Sequence, residues 1–186
     1  RLKQEFSIVE EWLPFEIHPD TPPEGVLWKA YFPGMDPKAF FLQLDERGRK
    51  MGVRFGSQPL MSNSRMALEG GEFAKAHGRY EAYHEAVFRA FFTDSRDIGD
   101  QKVILDLARG VGLDPVALRA ALEDGTFMPH LRETSRQAKI NGFSAAPTFV
   151  IAGYGPISGA QPLDTFRTIL HGLTQKTEPE SLMTIK

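Results

Sequence analysis

Few of the 186 residues have side chains suited to chemistry: five histidines, a scatter of carboxylates and hydroxyls, and no cysteine. Without cysteine, disulfide frameworks, thiolate zinc sites, cysteine nucleophiles and dithiol redox motifs are all excluded within these residues. The histidines show no metal-binding spacing. His77 and His84 lie seven apart, His18, His130 and His171 are isolated, and His84-Glu85 lacks the second histidine of a His-Glu-x-x-His helix. Packing or solvated roles are expected for all five, and no metal site. Asp94-Ser-Arg-Asp97 with Asp100 reads as a polar loop between helices that ends in a capping aspartate, not as an acidic metal cluster.

Two glycine motifs fail on context. Gly142-Phe-Ser-Ala-Ala146 approaches a Gly-x-Ser-x-Gly nucleophile elbow, but an elbow needs a strand before its serine and a helix after it. Ser144 follows a helix pattern and precedes a strand pattern, with Pro147 where the turn would tighten. Gly110-Val-Gly112 lacks the third glycine of a dinucleotide loop and reads as a helix stop. The informative stretch is Ala145-Ala-Pro-Thr-Phe-Val-Ile151. Proline is tolerated at the first position of a strand, where its missing N–H costs no ladder bond. Pro147 also lies between a helix stop and the first strand of a hairpin.

The elements that position this stretch follow from periodicity. Residues 1–6 read as the last turn of a helix. Phe6 to Phe15 reads as a strand with Ile8, Trp12, Leu13 and Phe15 as buried candidates, and His18 to Gly25, with three prolines, as a rigid surface turn. From Asp36 to about Asn141 the period is 3.6. Asp36-Pro37, Asp100 and Asp114-Pro115 are N-terminal signals, the second helix begins near Ser62 or Asn63, and Gly110, Gly112, Gly125 and Gly142 are stops. Tyr80, Tyr83, Val87, Phe88, Phe91 and Phe92 share one helical side, and Phe40, Phe41, Tyr83 and Phe88 are expected in the core. Thr148–Ala152 and Pro156–Gly159 then form a hairpin around Gly153-Tyr-Gly155. A helix enters at Pro162, and a polar tail starts at Gln175. The order strand, helices, hairpin, helix predicts an α/β frame formed by residues 1–35 and 141–186, with an all-helical insertion over 36–140.

Composition narrows the partners. The chain is 41% hydrophobic and 25% charged, with 13 prolines, 17 glycines, a net charge of −2 and a pI near 6.2, the balance of an ordinary globular protein. No basic stripe supports a nucleic-acid footprint, and no apolar run approaches the roughly 20 residues of a membrane span, so neither nucleic acid nor membrane is an expected partner.

The segments Glu11-Trp-Leu-Pro-Phe-Glu-Ile, His18-Pro-Asp, Pro23-Glu-Gly25, Asn63-Ser-Arg-Met-Ala-Leu, Tyr83 to Phe92, Arg96-Asp-Ile-Gly-Asp100, Ala146-Pro-Thr-Phe-Val-Ile and Ser158-Gly-Ala-Gln-Pro162 occur in an informative order and spacing. Together they make the chain resemble the DsbA-like superfamily of thioredoxin folds, in particular the FrnE-type dithiol–disulfide oxidoreductases. The resemblance implies a thioredoxin-like sheet with a large helical insertion and a cis-proline loop at Pro147. That loop, Ala146, Pro147 and Thr148, would contact substrate. Thiol–disulfide exchange is the implied activity, on protein or small-thiol substrates in the cytoplasm, with no cofactor and with a homodimer compatible.

The departure from the family pattern is equally specific. The family places a Cys-x-x-Cys at the start of the first helix, after a strand in the middle of the sheet, and neither is present. The sheet is therefore expected to be incomplete at its N-terminal side, with no catalytic residue in this chain and the redox cysteines in a segment before Arg1. Two other readings stand beside this one. Kappa-class glutathione transferases and 2-hydroxychromene-2-carboxylate isomerases share the insertion architecture and use a serine where the redox enzymes place cysteine. A binding module that keeps the thioredoxin shape without thiols is the other.

Overall fold

A computed structural model describes residues 1–177. They fall into two compact units, one of Pro14–Gln137 and one made of Arg1–Leu13 together with the chain from Ala138 onward. Residues 14–35, which the sequence pattern groups with the frame, therefore pack within the helical unit. Long-range bonds explain the difference. Strand β1 (Val26–Leu27) pairs antiparallel with β2 (Leu60–Met61), and the Asn63 amide donates to the Thr21 carbonyl at 2.6 Å. Arg65 ties the segment again, donating from Nε to Glu16 at 2.9 Å and from its outer nitrogen to the Pro19 carbonyl at 3.0 Å. Thr21 and Gly25 are buried, so the stretch from His18 to Gly25 is rigid but not purely a surface turn. Gly25 has φ +74, and a β-carbon there would lie 2.9 Å from the Met61 carbonyl oxygen, which leaves glycine as the residue that fits.

The helices of this unit follow their capping signals. They are α2 (Trp28–Tyr31), α3 (Pro37–Arg49), α4 (Arg65–Ala76), α5 (Tyr80–Phe88), α6 (Gln101–Gly110), α7 (Pro115–Glu123) and α8 (Met128–Ile140), whose last residues pass into the other unit. Asp36, Asp100 and Asp114 each accept the amide two residues on, at 3.0, 2.8 and 2.8 Å, which satisfies a donor that the helix cannot. Phe73, Tyr83, Val87, Ile104, Leu113 and Leu118 belong to one buried cluster, and Phe41 is buried as well. Phe40 is half-buried, whereas Phe88 is 51% exposed, contrary to the expectation that it joins the core. Phe88 sits one residue beyond Val87 and so about 100° around the helix, on the flank. There it packs along a row with His84 at 4.3 Å and with Phe92 at 5.7 Å between ring centroids.

Asp45 holds the loop after α3. Its carboxylate accepts the Phe55 amide at 2.9 Å, Arg49 Nε at 2.8 Å and Arg54 Nε at 3.1 Å. The Phe55 amide first, and then the Arg49 guanidinium, hold this carboxyl at about 2, below its ordinary 3.8. A lowered folded-state pKa gives stability that is present above the unfolded value and lost as pH falls through the folded one. Asp45→Asn is therefore expected to lower the unfolding midpoint at pH 7 and to flatten the loss of stability between about pH 4 and pH 2. Urea titrations at a series of pH values test this, and an unchanged acid limb would refute it.

The other unit contains α1 (Leu2–Glu5), the hairpin β3 (Thr148–Ile151) and β4 (Gly155–Ser158), and α9 (Leu163–Thr177). Arg167 on α9 bridges Glu5 at 2.6 Å and Asp164 at 2.5 Å, Phe6 meets His171 at 4.8 Å, and Phe149 meets Phe166 at 4.8 Å. The expected strand from Phe6 to Phe15 does not form. Trp12 and Leu13 are 43% and 58% exposed, Ile8 and Phe15 are half-buried, and Pro14 is the buried residue of the segment. A strand persists only as one side of a ladder, and none of the described strands forms a ladder with this segment. Helix α9 continues past Gln175 to Thr177, and the rest of the polar tail lies outside the described residues. No described helix is long and apolar enough to cross a membrane.

Candidate functional site

Helix α8 ends where its glycine allows. Gly142 has φ +74, and Phe143 donates its amide to the Ala138 carbonyl at 2.9 Å, so the chain leaves the helix and enters Ser144-Ala-Ala146. The Ala146–Pro147 peptide bond is cis. Ser144 is exposed between a helix and this loop, without the strand-to-helix turn that activates a hydrolase serine.

Hydrogen-bond phase defines which main-chain groups the hairpin leaves open. Thr148 faces Ser158, Phe149 faces Ile157, Val150 faces Pro156 and Ile151 faces Gly155. The Gly159 amide donates to the Pro147 carbonyl at 2.8 Å, which makes 147 and 159 a hydrogen-bonded pair. Alternation along an antiparallel ladder then makes 149 with 157 and 151 with 155 the bonded pairs. Pro156 consequently occupies a position where no ladder bond is required of it. The main-chain groups of Thr148 and Val150 face away from β4, on an edge that no described strand covers.

Ala146 and Pro147 are exposed and Thr148 is half-buried. The Thr148 hydroxyl donates to the Ala145 carbonyl at 2.6 Å and lies 3.4 Å from the Ser158 hydroxyl, while the Gln161 amide donates to the Ser158 carbonyl at 3.0 Å. The Ala146 N–H and C=O have no partner among the described residues. This arrangement can grip an extended chain by its backbone. It offers no nucleophile–base pair, because Thr148 spends its proton on a carbonyl.

The histidines are occupied elsewhere. His18 Nδ1 is 3.0 Å from the Tyr31 hydroxyl, His77 Nδ1 is 2.7 Å from the Phe73 carbonyl, and His130 Nε2 is 3.4 Å from Glu72. His84 lies between Tyr80 and Phe88, with its pKa lowered by burial, and His171 packs on Phe6. Among the described residues no three His, Cys, Asp or Glu groups converge to hold a metal.

One titratable group escaped sequence reading. Glu69 on α4 is 4% exposed, and its Oε2 has no hydrogen-bond partner. Burial raises its pKa, against the favourable charges of Arg65 and Arg132, and Glu16 adds to the rise. A raised carboxyl pKa means that the ionised form opposes folding, a cost fully present above the folded pKa and relieved as pH falls through it toward the unfolded value. Glu69→Gln is expected to raise the unfolding midpoint at pH 7 and to leave stability flatter with pH just above 4.5. A lower midpoint in the variant at pH 7 would count against a net cost of burying this charge. No sequence signal marks Glu69, since an acid within a helical run reads as a solvated face.

A helical insertion between an extended N-terminal segment and a hairpin entered through a cis-proline defines a thioredoxin-type α/β class. The model of the DSBA-like thioredoxin domain matches residues 3–171, and the chain belongs to that family. Protein YwbO of Bacillus subtilis (strain 168), itself uncharacterized, is 32% identical over 162 residues, which are 84% of this chain and 78% of its own. Among solved structures, a probable DsbA oxidoreductase from Streptomyces coelicolor is 27% identical with a TM-score of 0.78, covering 91% of this chain and 76% of its own. A 2-hydroxychromene-2-carboxylate isomerase shares the fold at 16% identity, with a TM-score of 0.65 over 94% of this chain and 86% of its own.

Proposed function

We propose that this chain provides the substrate-gripping wall of a thiol–disulfide oxidoreductase acting on proteins. The observation that carries the reading is the exposed residue Ala146, whose N–H and C=O are unpartnered among the described residues at the head of β3, where an extended substrate segment can add by short β-augmentation. The likeness to a probable DsbA oxidoreductase supports it. In the reaction, a thiolate attacks one sulfur of a substrate disulfide. A mixed disulfide forms, the other substrate sulfur leaves as a thiolate, and a second thiol resolves the intermediate, so that the enzyme dithiol is oxidised as the substrate is reduced. Neither thiol is among these 186 residues, so in this reading both come from residues outside them. Ala146, Pro147 and Thr148 contact the substrate, no bound cofactor is required, and a cytoplasmic setting goes with the reading.

The test is reduction of oxidised insulin, or oxidation of dithiothreitol, by the complete gene product. Turnover that is lost when its cysteines are replaced is expected. Turnover of neither substrate would overturn the reading. Glutathione-dependent isomerisation of a hydroxychromene carboxylate would then favour the isomerase alternative, and peptide binding alone would favour a binding module.

A further inference from the structure

The loop leaves one carbonyl open and closes those on either side of it. The Ala145 carbonyl is held by the Thr148 hydroxyl at 2.6 Å, and the Pro147 carbonyl by the Gly159 amide at 2.8 Å. Between them, the Ala146 carbonyl has no partner among the described residues, nor has its amide, and the residue is exposed. Both ties come from residues outside the Ala145–Pro147 turn. Thr148 is the first residue of β3, and Gly159 is the first residue beyond β4.

Gly159 must do two things at once. Its amide makes the last cross-strand bond, and its φ of +77 turns the chain out of the hairpin toward α9. Left-handed backbone is open to glycine, tolerable for asparagine and costly for other residues. Space is not the constraint, because nothing lies within 4 Å of a β-carbon built there.

We infer that the Thr148 hydroxyl and the Gly159 amide are positioning groups: by tying the carbonyls on either side, they hold the Ala146 N–H and C=O as the open docking point for a substrate backbone. This rests on the reading of the loop as a substrate-gripping wall. A tied carbonyl cannot rotate to compete for the incoming N–H; the tie on the Ala145 carbonyl holds the plane that carries the Ala146 N–H, and the Ala146–Pro147 plane that carries the Ala146 C=O lies between two tied planes, which lowers the ordering cost of binding.

The experiment uses the complete gene product with an oxidised protein substrate. Thr148→Val keeps the shape and removes the hydroxyl, and Gly159→Ala opposes the left-handed turn. Each is expected to raise KM about three- to tenfold, the equivalent of one hydrogen bond, with kcat within about twofold. Thr148→Ser and Gly159→Asn, which restore the hydroxyl and the left-handed turn, are expected to return KM to within about twofold of the native value. An unchanged KM in Thr148→Val overturns the inference while native turnover leaves the functional reading standing. A joint fall of kcat and thermal midpoint, not rescued by serine or asparagine, also overturns it, since that is what a merely structural role produces. A native protein that exchanges no disulfides overturns the functional reading, and the inference with it.

Discussion

Leu118→Ala is expected to lower the unfolding free energy of the helical unit by about 3 kcal/mol, within the roughly 2–5 kcal/mol typical of such truncations. Leu118 on α7 is 0% exposed and belongs to the cluster that holds Ile104, Leu105 and Leu113. Part of the loss is the transfer energy of the deleted carbons, and part is the cavity that the surrounding helices cannot close. Val116, two residues away on the same helix, is 73% exposed, so Val116→Ala provides the control and should stay within about 0.5 kcal/mol. Urea unfolding monitored by circular dichroism reads both. Equal midpoints for the two variants would show that α7 does not bury the face assigned to it.

Gly70→Ala is expected to be the other large effect, with the opposite sign to helix propensity. Alanine in a helix interior is favoured over glycine by about 1 kcal/mol. A β-carbon at residue 70, however, would lie 2.1 Å from the Tyr83 hydroxyl oxygen and 2.7 Å from the ring carbon that bears it. Tyr83 is 1% exposed and cannot swing into solvent, so overpacking should prevail and cost about 2–3 kcal/mol net. The hydroxyl itself has no hydrogen-bond partner, and burial pushes its pKa up. Tyr83→Phe alone is therefore expected to be neutral or mildly stabilising, because it removes a buried donor that nothing satisfies. In the Gly70→Ala background it should recover part of the loss and not all, since the ring carbon remains too close. A thermal-unfolding double-mutant cycle measures the coupling. Full additivity would mean that α4 and α5 do not meet at this pair.

The sequence alone determined what depends on near neighbours. Asp36, Asp100 and Asp114 start their helices because each carboxylate satisfies an amide two residues away, and Gly142 stops α8 because left-handed backbone is open to it. The β3–β4 hairpin was legible for the same reason, as its β-branched run and glycine turn lie within a dozen residues. So was the placement of Ala146, Pro147 and Thr148 at the entrance to the hairpin, together with the absence of any thiol among the 186 residues.

Tertiary structure alone decided whatever needed a partner far along the chain. Phe6 to Phe15 has the composition of a strand, yet composition supplies no ladder, and no described strand runs beside it. Residues 14–35 join the helical unit through Leu60, Asn63 and Arg65, contacts that periodicity does not encode. Phe88 rides the flank of α5, Gly70 makes room for Tyr83 from the next helix, and Glu69 is buried with its Oε2 unpartnered. At the site itself, periodicity placed a proline before a strand. The cross-strand amide of Gly159 and the hydroxyl of Thr148 closed the carbonyls on either side of Ala146, because a hydrogen bond is made by geometry in space and not by proximity in sequence.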